Sequence, residues 1–145
     1  MALTSHRPTS VGIVAVMLLG LAACSTSLPA ARPSEAVVRV SEQDFHISAP
    51  DQVPAGDVVL YVTNRGPEAH ELIVVRTMDS QLPLRADGVT VDEDALAAAK
   101  AGSLEPGQAG SVRTLRVHLA PGRYVLFCNM AGHYMGGMNA IVIVP

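Results

Sequence analysis

The chain of 145 residues has no tryptophan and only 3% aromatic residues, although 49% of its residues are hydrophobic. It also lacks a basic excess. Ten lysines and arginines against thirteen acids give a formal charge of −3, which argues against a nucleic-acid partner. The main apolar run, at residues 11–23, would be about 20 Å long as a helix, well short of the roughly 30 Å core of a bilayer. A membrane-spanning helix is therefore not expected, and the length suggests one domain.

The N-terminal segment has the features of an export signal. Arg7 precedes the apolar run, which ends in LAAC and so resembles the bacterial lipobox, whose cysteine becomes the lipidated N-terminus. We interpret residues 1–23 as a lipoprotein signal peptide, Cys24 as the lipidation site and residues 24–35 as a flexible tether. The alternative is an ordinary signal peptide with an incidental cysteine. The lipid anchor predicts an exported protein at the cell membrane or outer membrane, facing the periplasm or extracytoplasmic space.

Cys128 needs an explanation of its own. Once Cys24 is lipidated, Cys128 has no disulfide partner, although an exported protein lies in a compartment that favours disulfides. One interpretation is a small buried hydrophobic residue at the end of a strand. The other is a metal ligand.

Residues 36–145 show short apolar segments separated by turn signals, which predict an all-β sandwich of about seven strands. In QDFHIS, Phe45 and Ile47 alternate with polar residues and are expected to face the core. One interruption, TVDEDALAAAK, has Thr90 and Glu93 at capping-box spacing and predicts a short inserted helix over residues 91–101. Strands are predicted at residues 36–40, 43–48, 58–63, 70–76, 111–120, 123–128 and 140–145.

The segment FCNMAGHYMGGM combines metal-ligand residue types with glycines that let its backbone bend. Cys128 and His133 are separated by four residues, and His133 and Met138 by four more. A thiolate, an imidazole and a thioether from one loop, with a second imidazole from elsewhere, form the trigonal set of a blue copper centre with a weak axial methionine. The pattern therefore predicts that a second histidine lies at the end of a neighbouring strand.

The second histidine is predicted by elimination among the remaining four. His6 lies in the signal peptide, and His46 and His118 occupy the polar positions of their predicted strands. His70 begins a strand directly after the loop at residues 64–69. It is therefore the candidate that can reach the C-terminal loop.

The segments NRGPEAHELIVV and YVLFCNMAGHYMGGMNAIVIV together resemble the cupredoxins, the family that includes plastocyanin, azurin and sulfocyanin. The resemblance covers residues 36–145, and the spacing of the ligand loop is most similar to that of sulfocyanin-like members. It implies a Greek-key β-sandwich of seven or eight strands and one copper ion per chain. By this resemblance His70, Cys128 and His133 are the equatorial ligands and Met138 is the axial one.

Two features depart from the family pattern. Glu71 follows the first histidine, where several cupredoxins carry Asn, Asp or Ser, so the hydrogen bonding that tunes the copper is left open. The loop also contains Met130 and Met135. Met138 is preferred as axial ligand because Met135 lies only two residues from His133. Core packing is the alternative role for Met138.

Such a site moves one electron, since its ligands bind Cu(I) and Cu(II) with little change of geometry. The expected function is a non-enzymatic, monomeric electron carrier that docks briefly with respiratory redox proteins through an apolar patch of Met130, Tyr134 and Met135. The alternative is a copper chaperone or storage protein, because the methionines at positions 78, 130, 135 and 138 suit Cu(I). Enzymatic activity is not expected, because copper nitrite reductases and multicopper oxidases need further domains and histidines.

Overall fold

The computed structural model describes residues 35–145, so the predicted signal peptide, Cys24 and nearly all of the predicted tether lie outside the described residues. Within residues 35–145, no helix has the length and apolarity needed to cross a membrane. The described chain forms eight strands: β1 Ala36–Gln43, β2 His46–Ser48, β3 Gly56–Asn64, β4 His70–Arg76, β5 Lys100–Gly107, β6 Val112–Leu119, β7 Gly122–Phe127 and β8 Asn139–Val144.

The strands form two four-stranded sheets, with orders β2-β1-β3-β6 and β5-β4-β7-β8. β1 and β3 pair in parallel, whereas the other neighbours are antiparallel. Strand alternation explains the core. In β6, Val117 and Leu119 are buried, while Arg116 and His118, which alternate with them, are exposed. The resulting core between the sheets is largely aliphatic. The all-β sandwich predicted from the sequence is confirmed.

Residues 91–101 do not form the predicted α-helix. They contain a single turn of 3-10 helix, Ala97–Ala99, and then enter β5. The predicted capping box is not formed, because the Thr90 hydroxyl hydrogen-bonds to Asp87 instead. Leu104 in β5 pairs with Leu72 in β4, within a segment that the sequence pattern assigned to a turn. At the end of the predicted helix, Lys100 instead pairs with Val75 in β4, so strand pairing replaces helix there.

The predicted strand at residues 43–48 is also wrong. β1 and β2 form a hairpin instead, with Gln43 paired to His46 and Asp44 and Phe45 in the turn. Phe45 has φ +60° and is 51% exposed, so it does not face the core as predicted. Ile47 is buried, as expected. The hairpin turn brings Asp44 and Phe45 to the end of the sandwich where β4 begins.

The segment between β4 and β5 covers the outer face of the second sheet. Its buried residues Leu82, Val91 and Leu96 form a second hydrophobic cluster with residues of β4 and β7. Without this cover, the outward-facing apolar side chains of both strands would meet water. The segment that was predicted to be helical therefore serves as a covering layer of irregular structure. The residues of β4 and β7 in the cluster are Ile73, Val75, Val125 and Phe127.

Candidate metal centre

Two neighbouring strands and one loop bring the three predicted equatorial ligands together. His70 is the first residue of β4, and Cys128 directly follows β7, which pairs antiparallel to β4 with Phe127 opposite Ile73. One donor atom from each of His70, Cys128 and His133 lies within 4.8 Å of the other two. All three residues are buried. This is the only such cluster of His, Cys, Asp or Glu found in residues 35–145.

Hydrogen bonds within the loop after β7 close it on itself. The Cys128 amide donates to the Met138 carbonyl at 3.2 Å, and the Met138 amide donates to the His133 carbonyl at 2.9 Å. Gly132 and Gly137 have φ of +81° and +100°, which side-chain-bearing residues rarely adopt. Met138 is fully buried and packs in the same core cluster as Cys128. The fold therefore places the predicted axial ligand on the interior side of the loop, beside the cysteine.

In each of the two imidazoles, Nε2 lies near a carboxylate oxygen. His70 Nε2 lies 2.9 Å from Asp44 Oδ1, while its Nδ1 is buried without a hydrogen-bond partner. His133 Nδ1 lies 3.5 Å from Cys128 Sγ, and its Nε2 lies 3.4 Å from Glu68 Oε2. A buried nitrogen without a partner is costly. The unpartnered Nδ1 and the nearby thiol fit a metal that accepts nitrogen and sulfur donors.

Cys128 lies in a pocket of backbone donors. The amides of Glu71 and Met130 hydrogen-bond to its sulfur, yet burial dominates and raises the pKa of the thiol. Cys128 is therefore a protonated thiol at neutral pH in the metal-free protein. A bound cation would favour the thiolate, because the positive charge offsets the cost of burying a negative one.

Glu71, which follows His70, links β4 to the ligand loop. Its Oε1 accepts a hydrogen bond of 3.0 Å from the amide of Asn129, the residue after Cys128. Burial, followed by repulsion from Glu93, raises the pKa of Glu71. The carboxylate thus takes part in fixing the loop directly beside the cysteine.

Asn129 and Tyr134 attach the covering segment to the ligand loop. The Asn129 side chain bonds both backbone groups of Val91: Oδ1 accepts from the Val91 amide at 2.5 Å, and Nδ2 donates to the Val91 carbonyl at 3.1 Å. Nδ2 also donates to Glu93 Oε1 at 3.0 Å. The Tyr134 hydroxyl accepts from the Leu82 amide at 3.0 Å. The covering segment therefore braces the loop from outside.

The predicted docking residues differ in exposure. Met135 is 55% exposed, whereas Met130 and Tyr134 are half-buried, and the Tyr134 ring packs edge-on against Phe127. The exposed Phe45 adds to this surface, since its ring centroid lies 5.3 Å from that of His133. An apolar surface therefore surrounds the loop, and its docking role remains a prediction.

Sequence reasoning missed four residues that touch or brace the donors: Asp44, Phe45, Glu68 and Asn129. Each of them acts through a contact between segments that lie far apart in the chain or in neighbouring loops. Only for Asp44 and Phe45 did the local sequence offer a signal: the polar pair Gln43–Asp44 ahead of Phe45 fits a turn as well as a strand.

No protein-family model matches the sequence, and no curated protein is significantly similar to it. Solved structures, however, share the fold. Reduced auracyanin from Roseiflexus castenholzii is 18% identical, with a TM-score of 0.58 over 78% of this chain and 99% of that one. Auracyanin A from Chloroflexus aurantiacus, a "blue" copper protein, is 15% identical, with a TM-score of 0.57 over 77% and 99%. Rusticyanin from Thiobacillus ferrooxidans is 14% identical, with a TM-score of 0.55 over 77% and 79%.

These neighbours and the two four-stranded sheets define the class: the chain has the cupredoxin fold. At such low identities the likeness establishes the architecture alone. The resemblance to cupredoxins seen in the sequence is thereby confirmed at the level of the fold.

Proposed function

We propose that this chain is a mononuclear copper protein that carries one electron at a time between redox partners at a membrane surface. The observation that carries the proposal is the buried donor set. His70 with its unpartnered Nδ1, the Cys128 sulfur and His133 Nδ1 lie together at one end of the sandwich. A soft sulfur donor combined with two imidazoles is the ligand set that favours copper. The blue copper protein auracyanin A shares the fold, which supports the same metal.

The protein's contribution is to hold these donors still. Copper bound there would exchange one electron between its Cu(I) and Cu(II) states. His70 is held by a strand, Cys128 follows one directly, and the loop with His133 and Met138 is braced by the covering segment. Donors that keep their places in both oxidation states make electron transfer fast, because little rearrangement accompanies it. Their burial also leaves little room for a substrate, which supports a carrier rather than an enzyme.

The strand geometry suits a tethered carrier. β1 runs from Ala36, next to the predicted tether, to the Asp44 turn beside the donors. Eight residues at about 3.3 Å each place these two ends roughly 25 Å apart. With a lipid anchor at Cys24, the donors and the apolar surface of Phe45 and Met135 would lie at the end of the domain remote from the tether. Such a small surface suits brief docking with a redox protein.

A copper chaperone or storage protein is the second candidate, and Met135 is the observation that favours it. It is exposed and lies in the ligand loop two residues after His133, so its thioether could receive Cu(I) during handover. Met78, however, is exposed near the opposite end of the sandwich, beyond Arg76 of β4. The methionines therefore do not form one cluster of four at the site.

Retention of copper through a redox cycle distinguishes the two functions. The copper-loaded protein is reduced, exposed to excess Cu(I) chelator, freed of chelator and reoxidised, and its copper content and visible spectrum are measured. An electron carrier is expected to keep its copper and recover its full spectrum. Rapid loss of copper on reduction would contradict the carrier and favour handover. In that case Met135→Leu should slow the loss, whereas Met78→Leu, its exposed and distant control, should not.

A further inference from the structure

We infer that Asp44 is a positioning residue that fixes His70 in one tautomer and lowers the reduction potential of the metal centre. The second half of this inference rests on the proposed copper function. The first half concerns the metal-free protein and stands independently.

The contact itself determines the tautomer. Asp44 Oδ1 lies 2.9 Å from His70 Nε2, and an ionised carboxylate only accepts hydrogen bonds. Nε2 must therefore carry the proton in the neutral ring, which leaves the lone pair on Nδ1. That nitrogen is buried and has no other partner. Asp44 thus leaves the Nδ1 lone pair free to bind a metal even in the metal-free protein, as carboxylates do for metal-binding histidines in general.

The loop before β4 is built closely around this contact. A Cβ at Gly66 would lie 2.5 Å from Asp44 Oδ1 and 3.0 Å from His70 Nε2, so only glycine fits there. Asn64 holds Gly66 in place by accepting from its amide at 2.9 Å and donating to the Gly107 carbonyl at 2.9 Å. The carboxylate is therefore held against the ring from one side by the hairpin turn and from the other by the loop.

The charge of Asp44 reaches the metal position through the ring. The Asp44 side chain is 28% exposed and touches a fully buried imidazole, so water screens the charge only in part. Glu68 contacts His133 at a longer 3.4 Å and is 61% exposed, so its charge is screened more. A negative charge stabilises the more positive Cu(II) state. Of the two carboxylates that contact the imidazoles, Asp44 therefore has the larger influence on the potential.

The first test compares Asp44→Asn with Asp57→Asn in the copper-loaded, full-length protein. An asparagine oxygen can still accept from Nε2, so the substitution removes the charge and keeps the shape. Asp57 forms an equivalent carboxylate–histidine pair with His118 at 2.7 Å, exposed and outside the site, and is the matched control. Loss of such a supporting charge is expected to weaken Cu(II) relative to Cu(I) about tenfold, which is a rise of about 59 mV in the potential. No rise beyond that of the control would overturn this half of the inference.

The second test uses the metal-free protein, and its outcome does not depend on copper. Nitrogen-15 NMR of the His70 ring is expected to show a single tautomer with the proton on Nε2. In Asp44→Ala, which lacks the acceptor, the ring is expected to populate both tautomers, while methyl NMR checks that the sandwich is intact. A His70 that keeps one tautomer in Asp44→Ala would refute the positioning role. If the wild type takes up no copper but shows the expected tautomers, the proposed function fails and the positioning role stands.

Discussion

Replacing Cys128 with serine is expected to abolish tight copper binding and leave the β-sandwich folded. Serine keeps the size of the residue, and its oxygen can accept the hydrogen bonds that the amides of Glu71 and Met130 give to the sulfur. Its hydroxyl does not provide the soft thiolate that this geometry needs. The loss of affinity should exceed the roughly 10–100-fold typical of losing a residue that only supports a ligand. Competition with a copper chelator measures the affinity, and circular dichroism checks the fold.

The control for this substitution is His46→Gln, which removes an exposed histidine outside the donor set. It is expected to bind copper as the wild type does. A Cys128→Ser protein that still competed equally well with the chelator would show that the thiolate is not a ligand.

Replacing Arg113 with alanine is expected to cause the largest loss of stability. Its guanidinium bridges the carboxylate of Glu42 in β1 and the carbonyl of Glu105 in β5, and so connects the two sheets. Glu42 is fully buried and would keep an unpaired charge. Breaking a buried pair from one side costs about 3–5 kcal/mol, a large share of the roughly 5–15 kcal/mol by which a domain is stable. Urea unfolding measures the change.

The same variant should show a distinct pH dependence. Burial raises the pKa of Glu42 above its usual 4.5, and Arg113 opposes that rise, so the pKa should increase further without the arginine. A raised pKa means that the folded state binds the proton more tightly than the unfolded state, so stability falls as the pH rises above 4.5. The loss of stability in Arg113→Ala should therefore be larger at neutral pH than in acid, where Glu42 is neutral.

Arg116→Ala is the matched control for Arg113→Ala, because Arg116 forms an exposed pair with Glu35 at 3.2 Å. Its effect should stay within about 1 kcal/mol and vary little with pH. If Arg113→Ala lost little stability, or lost the same amount at both pH values, the assigned role of the buried pair would be contradicted.

The parts of the fold that the sequence predicted are those with a local pattern. The alternation in β6 and the apolar run from His70 to Arg76 placed two strands within a residue of their observed ends. The Cys-x4-His-x4-Met spacing brought Cys128, His133 and Met138 into one loop, and His70 followed by elimination. The structure brings the three predicted equatorial donors, His70, Cys128 and His133, together and buries Met138 in the same core cluster as Cys128.

The parts that could not be predicted depend on contacts between distant segments. Residues 91–101 have a good local helix pattern, yet Val91 hydrogen-bonds to Asn129 and Lys100 pairs with Val75 in β4. Asp44 was assigned to the polar side of a strand, because nothing in its neighbourhood indicates His70, 26 positions later. Phe45 fitted a period of two, but a φ of +60° turns the chain there. Tertiary contacts override short patterns in each case.

The most direct test of the copper assignment is the visible absorption spectrum of the purified protein loaded with one equivalent of Cu(II). Thiolate coordination in a trigonal site predicts an intense band at about 600 nm, which should disappear on reduction and be absent from Cys128→Ser. A protein that binds Cu(II) without this band, or that binds none, would contradict a blue copper centre formed by His70, Cys128 and His133.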